Sequence, residues 1–235
     1  MTAVALRQEN AFERPLHDRQ EILTRYRHMR RVSGWHLNNA VQLLSNDAVL
    51  QQAKRLGLAY GKTFVLGSKH EMKLAFDLLV FTAAPGRSRA IDRYAAPAGL
   101  QQGTDEALML EAMRKARFVI FKVKQRHPSA GLIVSDVFRE TELWLVDEGL
   151  ESSLPDGVVY ATRIYATNPF VMAAGIGMPV DPDLLKDAIT SMPRLMRNTP
   201  SEVIDDRRFA EAIYRTALAD HVMESVRFQD PGENE

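Results

Sequence analysis

Five short runs crowd into residues 117–180: FVIFKVKQ, GLIVSDVF, ELWLVDE, GVVYATRIY and FVMAAGIGMPV. Each is rich in β-branched and aromatic side chains, the composition of β-strands. Turn chemistry separates them, at His127-Pro128, at residues 139–141, at Pro155-Asp156-Gly157 and at Asn168-Pro169. These connections are too short for crossover helices, so the spacing predicts antiparallel neighbours. A chain built around this segment is committed to a small five-stranded antiparallel β-barrel or rolled sheet. Gly175 and Gly177, inside the last run, mark a bulge or a tight corner.

Helical patterning flanks the β unit on both sides. Ile22, Leu23, Tyr26 and Met29 recur at helical spacing. Ser33-Gly34 reads as an interruption, with Trp35 at the join and a second helix carrying Leu37, Ala40, Val41 and Leu44. Asn46 or Asp47 caps a third helix, and Gly57 ends it, because glycine tolerates the left-handed conformation at a helix stop. Ser68 and Glu71 have capping-box spacing. The segment they open, Met72, Leu74, Ala75, Phe76, Leu78, Leu79 and Phe81, is apolar nearly all round, as buried helices are. Thr104 opens a further helix with Asp105 and Glu106 in its first turn and Arg114 and Lys115 in its last, which complements the helix dipole. Thr199-Pro200-Ser201-Glu202 is another strong start, for a helix running to about Val226.

The expected class is therefore α+β. Residues 1–16 read as a flexible leader and 17–116 as a helical region. Residues 117–180 form the β unit, 181–227 form C-terminal helices packing back, and 228–235 form a disordered tail.

Two stretches together mimic a nucleotide site. GLAYGKT, residues 57–63, looks like a phosphate-binding loop, and LWLVDE, residues 143–148, looks like its acidic strand. The loop pattern needs four residues between its glycines; Leu58, Ala59 and Tyr60 make three. It also needs a buried strand before it, and residues 46–56 read as a helix. The expectation is a helix stop followed by a short extended connector, and for LWLVDE a hairpin strand with a charged end. Nucleotide binding through Lys62 and Thr63, with Asp147 and Glu148, stands as an alternative.

The basic run RYRHMRR, residues 25–31, supplies a second alternative. Arg25, Arg27, Arg30 and Arg31 on one helix are a nucleic-acid-binding candidate. Against it, 30 basic residues meet 30 acidic ones for a formal net charge of zero, so there is no strongly basic coat.

Zero cysteines exclude disulfides, thiolate metal sites and cysteine nucleophiles. The six histidines fall into no i, i+4 pair, so no metal site is nominated. Asp136, Glu140, Glu142, Asp147, Glu148 and Glu151 gather in the strand region, where hairpin ends attract charge without catalysis. Trp144 alternates with Leu143 and Leu145 and is expected to lie under the helical half. No apolar stretch reaches the ~20 residues of a membrane span, and the expected location is the cytoplasm. Every catalytic constellation fails on spacing or context, so no catalytic residue and no cofactor is nominated. The leading reading is a non-enzymatic binding or scaffold protein. It acts through protein–protein contacts of the β unit, with an unidentified protein partner or by self-association.

Overall fold

The computed structural model describes residues 18–68 and 70–222. The expected leader, the tail and the last residues of the C-terminal helix lie outside them. Helix α1 (Arg19–Gln42) starts on Asp18, whose carboxylate accepts from the Glu21 N–H at 2.8 Å. The helix passes through Ser33-Gly34, where the sequence reading broke it. Ser33 turns its hydroxyl back onto the Arg30 carbonyl at 2.9 Å and lies on the buried face with Ile22, Tyr26, Met29, His36 and Ala40. Burial of that face outweighs the ~1 kcal/mol a glycine costs in a helix interior.

Helix α2 (Asn46–Arg55) is capped by Ser45, one residue earlier than expected. It ends at Gly57, with φ +79°. The Gly57 N–H reaches the Lys54 carbonyl at 3.1 Å and the Leu58 N–H reaches Ala53 at 2.8 Å, the paired bonds of a Schellman stop. The expected extended connector instead folds back as a hairpin of β1 (Ala59–Tyr60) and β2 (Thr63–Phe64). Gly61, at φ +60°, takes the first position of the two-residue loop, as a type II′ turn requires.

Helix α3 (Glu71–Phe81) begins without the Ser68 capping box. The Ser68 carbonyl accepts the Glu71 N–H, and the Glu71 carboxylate reaches one residue further back, to the Gly67 N–H at 2.8 Å. As its all-round apolar pattern implies, α3 serves two cores. Leu74, Ala75 and Leu78 face one, Val80 and Phe81 the other. Helices α4 (Ala90–Ala95) and α5 (Asp105–Arg114) follow, the latter capped by Thr104.

The five expected strands all form: β3 (Arg117–Arg126), β4 (Leu132–Asp136), β5 (Thr141–Leu145), β6 (Val159–Ala166) and β7 (Val171–Pro179). Their order, β3–β4–β5–β7–β6, closes on itself through the β3–β6 pairing. The sheet is mixed, which corrects the expectation of antiparallel neighbours throughout. Helix α6 (Glu148–Ser153) follows β5 and carries the chain away, so β6 returns beside β3, and β5 meets β7 in parallel at Leu145↔Val171. The glycine-bearing run does bulge. Between Thr162↔Gly177 and Ile164↔Ala173, β7 advances four positions against two on β6.

Alternate strand residues fill the interior of the closed sheet, among them Val119, Phe121, Val134, Leu145 and Tyr160. Two outer flanks are covered by helices. One core joins Phe118, Ile120 and Met178 to α2, α3, helix α7 (Pro182–Thr190) and the C-terminal residues Phe209 and Ile213. The other joins Tyr165, Phe170 and Met172 to α1, α3, α4 and α5.

The single C-terminal helix expected after Thr199 is two helices, α8 (Pro200–Asp205) and α9 (Arg207–Ala219). Asp206, extended at φ −71° and ψ 124°, closes the first and caps the second. Its carboxylate accepts the Arg208 N–H at 2.8 Å.

Candidate functional site

The break at Asp206 lines a cleft of about 420 Å3. The other lining residues come from the C-terminal end of α3, the loop before α4, Asp92 within that helix, the start of β3 and Arg163 of β6. Five arginines (Arg87, Arg89, Arg117, Arg163, Arg207) and three aspartates (Asp92, Asp205, Asp206) share this lining.

Arg163 is the most deeply set of the five. Its Nε and Nη2 donate to the two carboxylate oxygens of Asp77, each at 2.9 Å, and Tyr214 donates its hydroxyl to the same carboxylate at 3.0 Å. Side-chain exposure is 5% for Arg163 and 3% for Asp77. Burial works against the charge on Arg163, yet Asp77 beside it raises the guanidinium pKa above its ordinary value. The cation also lies 5.2 Å from the centre of the Phe81 ring, within cation–π reach. The third nitrogen, Nη1, has no protein acceptor among the described residues.

All three aspartates of the lining are already bound. Asp92 takes Arg89 at 2.6 Å and Arg114 at 3.2 Å, and the Arg89 contact leads in holding its carboxyl below the usual range. Asp205 takes Arg139. Asp206 takes the Arg208 guanidinium at 2.6 Å, which holds its carboxyl down in the same way. Among the described residues Arg87 and Arg207 are exposed and form no ion pair. Arg117 is half-buried and approaches Asp136 only at 3.8 Å, where Arg139 already sits at 2.8 Å. Burial, and then the charge of Arg139, pulls the Arg117 guanidinium pKa below its ordinary value. The cleft therefore presents two arginines without an ion pair among the described residues, Arg87 and Arg207, and a third, Arg117, that shares its carboxylate with Arg139.

The basic run on α1 is spent on the fold. Arg25 forms a two-pronged pair with Asp105 of α5 at 2.9 and 3.0 Å, and Arg27 does the same with Glu148 of α6 at 2.9 and 2.6 Å. Arg30 donates to the Ala173 carbonyl at the β7 bulge at 2.6 Å. Gly175 makes room for it, since a Cβ there would lie 3.2 Å from Arg30 Nη2. Arg31 alone is exposed and makes no ion pair among the described residues.

Lys62 and Thr63 are exposed on the hairpin beside α2. The acidic end of LWLVDE is the start of α6, where Asp147 accepts the Leu150 N–H at 3.1 Å and Glu148 is held by Arg27. The two halves of the nucleotide reading thus make separate contacts, on α2's hairpin and on α6. Trp144 is half-buried, stacked on His127 at 4.2 Å, and donates its ring N–H to the Ala130 carbonyl. The outer positions of the β unit that no helix covers are mostly polar, with Lys122, Lys124 and Glu142 exposed. Among the described residues no group of three or more acidic or histidine side chains is placed to hold a metal ion, and no helix is long and apolar enough to cross a membrane.

Sequence reasoning missed the cleft, although two signals pointed to it. Asp77 interrupts an all-apolar helix and Arg163 an apolar strand, and buried charges occur in pairs. Asp206 before Arg207 is also a capping residue in mid-helix.

No curated protein matches the chain, and no solved structure matches it. A family model does, over residues 20–219, a span that contains every residue of the cleft. The chain therefore belongs to the family of unknown function DUF7986.

Proposed function

We propose that the protein is a binding protein whose ligand is a small organic anion taken into the arginine cleft. The observation that carries this reading is the pairing pattern. Arg87, Arg117 and Arg207 line a cleft whose every aspartate already holds another arginine. Cations beside a low-dielectric wall attract an anion more strongly than they would in open water. The volume of about 420 Å3 falls within the ~300–1,000 Å3 of small-molecule sites.

Thermal unfolding against added anions tests this. Ligand at about 100 times its dissociation constant stabilises by ~2.7 kcal/mol. At constant ionic strength, replacing chloride by sulfate, phosphate or benzoate raises the melting temperature of the native chain. The rise shrinks in the Arg87→Ala/Arg207→Ala variant, which loses two exposed side chains with no ion pair of their own. A melting temperature blind to all three anions, or an undiminished rise in the variant, refutes the reading.

A further inference from the structure

We infer that the ligand of this cleft is a small-molecule phosphate monoester, its dianionic head among Arg87, Arg117 and Arg207 and its organic body against the apolar wall. This rests on the anion-binding reading above and narrows it by charge and shape. A planar monocarboxylate carries one charge and is satisfied by one guanidinium fork. A phosphate monoester carries about −1.5 to −2 charge at pH 7 and presents three strong acceptor oxygens in a tetrahedral array. Two guanidinium groups without an ion pair among the described residues, Arg87 and Arg207, beside Arg117, which shares its carboxylate, match the second set of acceptors and exceed the first.

Arg117 is the discriminating residue. It is held at the first position of β3, half-buried, and its nearest carboxylate, Asp136, is fully buried and committed to Arg139. Arg117 therefore shares Asp136 with Arg139, which holds the shorter contact, and has no close charge-assisted bond of its own. Arg87 and Arg207 stand on the loop before α4 and at the first residue of α9, both in the lining of the same cleft. Arg163 is fixed by Asp77 and Tyr214 and keeps Nη1 for an acceptor in the cleft. Phe81, Ala83, Ala116, Ile204 and Ala210 make up the apolar share of the lining, so the head group is to be joined to a body that gains from leaving water.

Phenyl phosphate and benzoate are the probes, titrated calorimetrically into the full chain at low salt and pH 7.5. Phenyl phosphate is expected to bind at least about tenfold more tightly than benzoate, since it engages additional charge-assisted bonds. Its affinity falls as pH drops below about 6, where the second phosphate proton returns. Arg117→Lys, which keeps the charge but loses the fork, weakens phenyl phosphate more than benzoate. Benzoate binding as tightly as phenyl phosphate, or a flat pH profile, overturns the phosphate inference and leaves the anion reading standing. Binding of neither probe overturns both. A tyrosine-phosphorylated peptide that binds more tightly than phenyl phosphate overturns the assignment to a small molecule.

Discussion

Asp77→Asn removes one charge from the pair that braces α3 against β6 at the edge of the cleft. In the native chain the carboxylate accepts two bonds from Arg163 and one from Tyr214, and all three side chains are buried. The substitution keeps the size and one acceptor oxygen but leaves the guanidinium without its counter-charge. Breaking a buried pair in this way costs about 3–5 kcal/mol, because an uncompensated charge stays behind. For a chain of this length each kcal/mol lowers the melting temperature by about 2–4 °C, so the expected fall is roughly 6–20 °C. Urea unfolding followed by circular dichroism measures the loss, with an unchanged slope showing that the unfolded state is not the cause. The double variant Asp77→Leu/Arg163→Met completes the argument. Replacing both charges by apolar groups costs far less than removing one, and the cycle of single and double variants gives the coupling directly. A loss below about 1 kcal/mol in Asp77→Asn, the value of an exposed ion pair, refutes the claim that this pair is desolvated.

Two further outcomes follow from local geometry. His36 is fully buried, and its Nε2 bonds to the Glu106 carbonyl at 2.8 Å, so Nε2 carries the proton and Nδ1 accepts from Tyr94 at 3.0 Å. Burial lowers its pKa, so the neutral ring's contribution is complete above about pH 6.5 and is lost as pH falls through the lowered value. Melting temperature should therefore drop between pH 7.5 and 5.5 at an acid slope that His36→Gln reduces, and an unchanged slope speaks against a neutral His36. Gly131 has φ +80°, and a Cβ there would lie 2.2 Å from the Leu145 carbonyl oxygen, whereas Gly61 has φ +60° with nothing within 4 Å. Gly61→Ala is expected to cost about 1–2 kcal/mol from backbone conformation alone and Gly131→Ala at least twice as much, so equal urea midpoints refute the steric argument.

Much of the fold was legible because its signals are local. β-Branched and aromatic composition between turn residues marked each of the five strands, and Thr104 and Thr199 announced helix starts from their own side chains. Strand direction left no such trace. The parallel meeting of β5 with β7 depends on where α6 carries the chain, and Glu148, its first residue, read as the charged end of a hairpin strand. Ser33-Gly34 misled for the opposite reason: its local cost is real, but burial of Ser33, and of His36 against Tyr94 of α4 and Glu106 of α5, overrides it. The open part of the cleft was illegible because Arg87, Arg117 and Arg207 come from three separate segments. Each looks like an ordinary surface charge until the fold shows which aspartates are already taken.

GLAYGKT bears on how motifs should be weighed. A loop that cradles phosphate offers a set of backbone amides with no other acceptor to serve, and that unspent inventory, rather than the glycine and lysine letters, is its chemistry. In this chain the amides of Gly57 and Leu58 donate into the end of α2, and that of Val65 donates to the Leu58 carbonyl. Ala59 and Tyr60 are paired with Phe64 and Thr63 across the hairpin. Donor accounting thus separates two segments that spelling alone makes alike: one keeps its hydrogens for a ligand, and in this one Gly57 and Leu58 have given theirs to the end of α2.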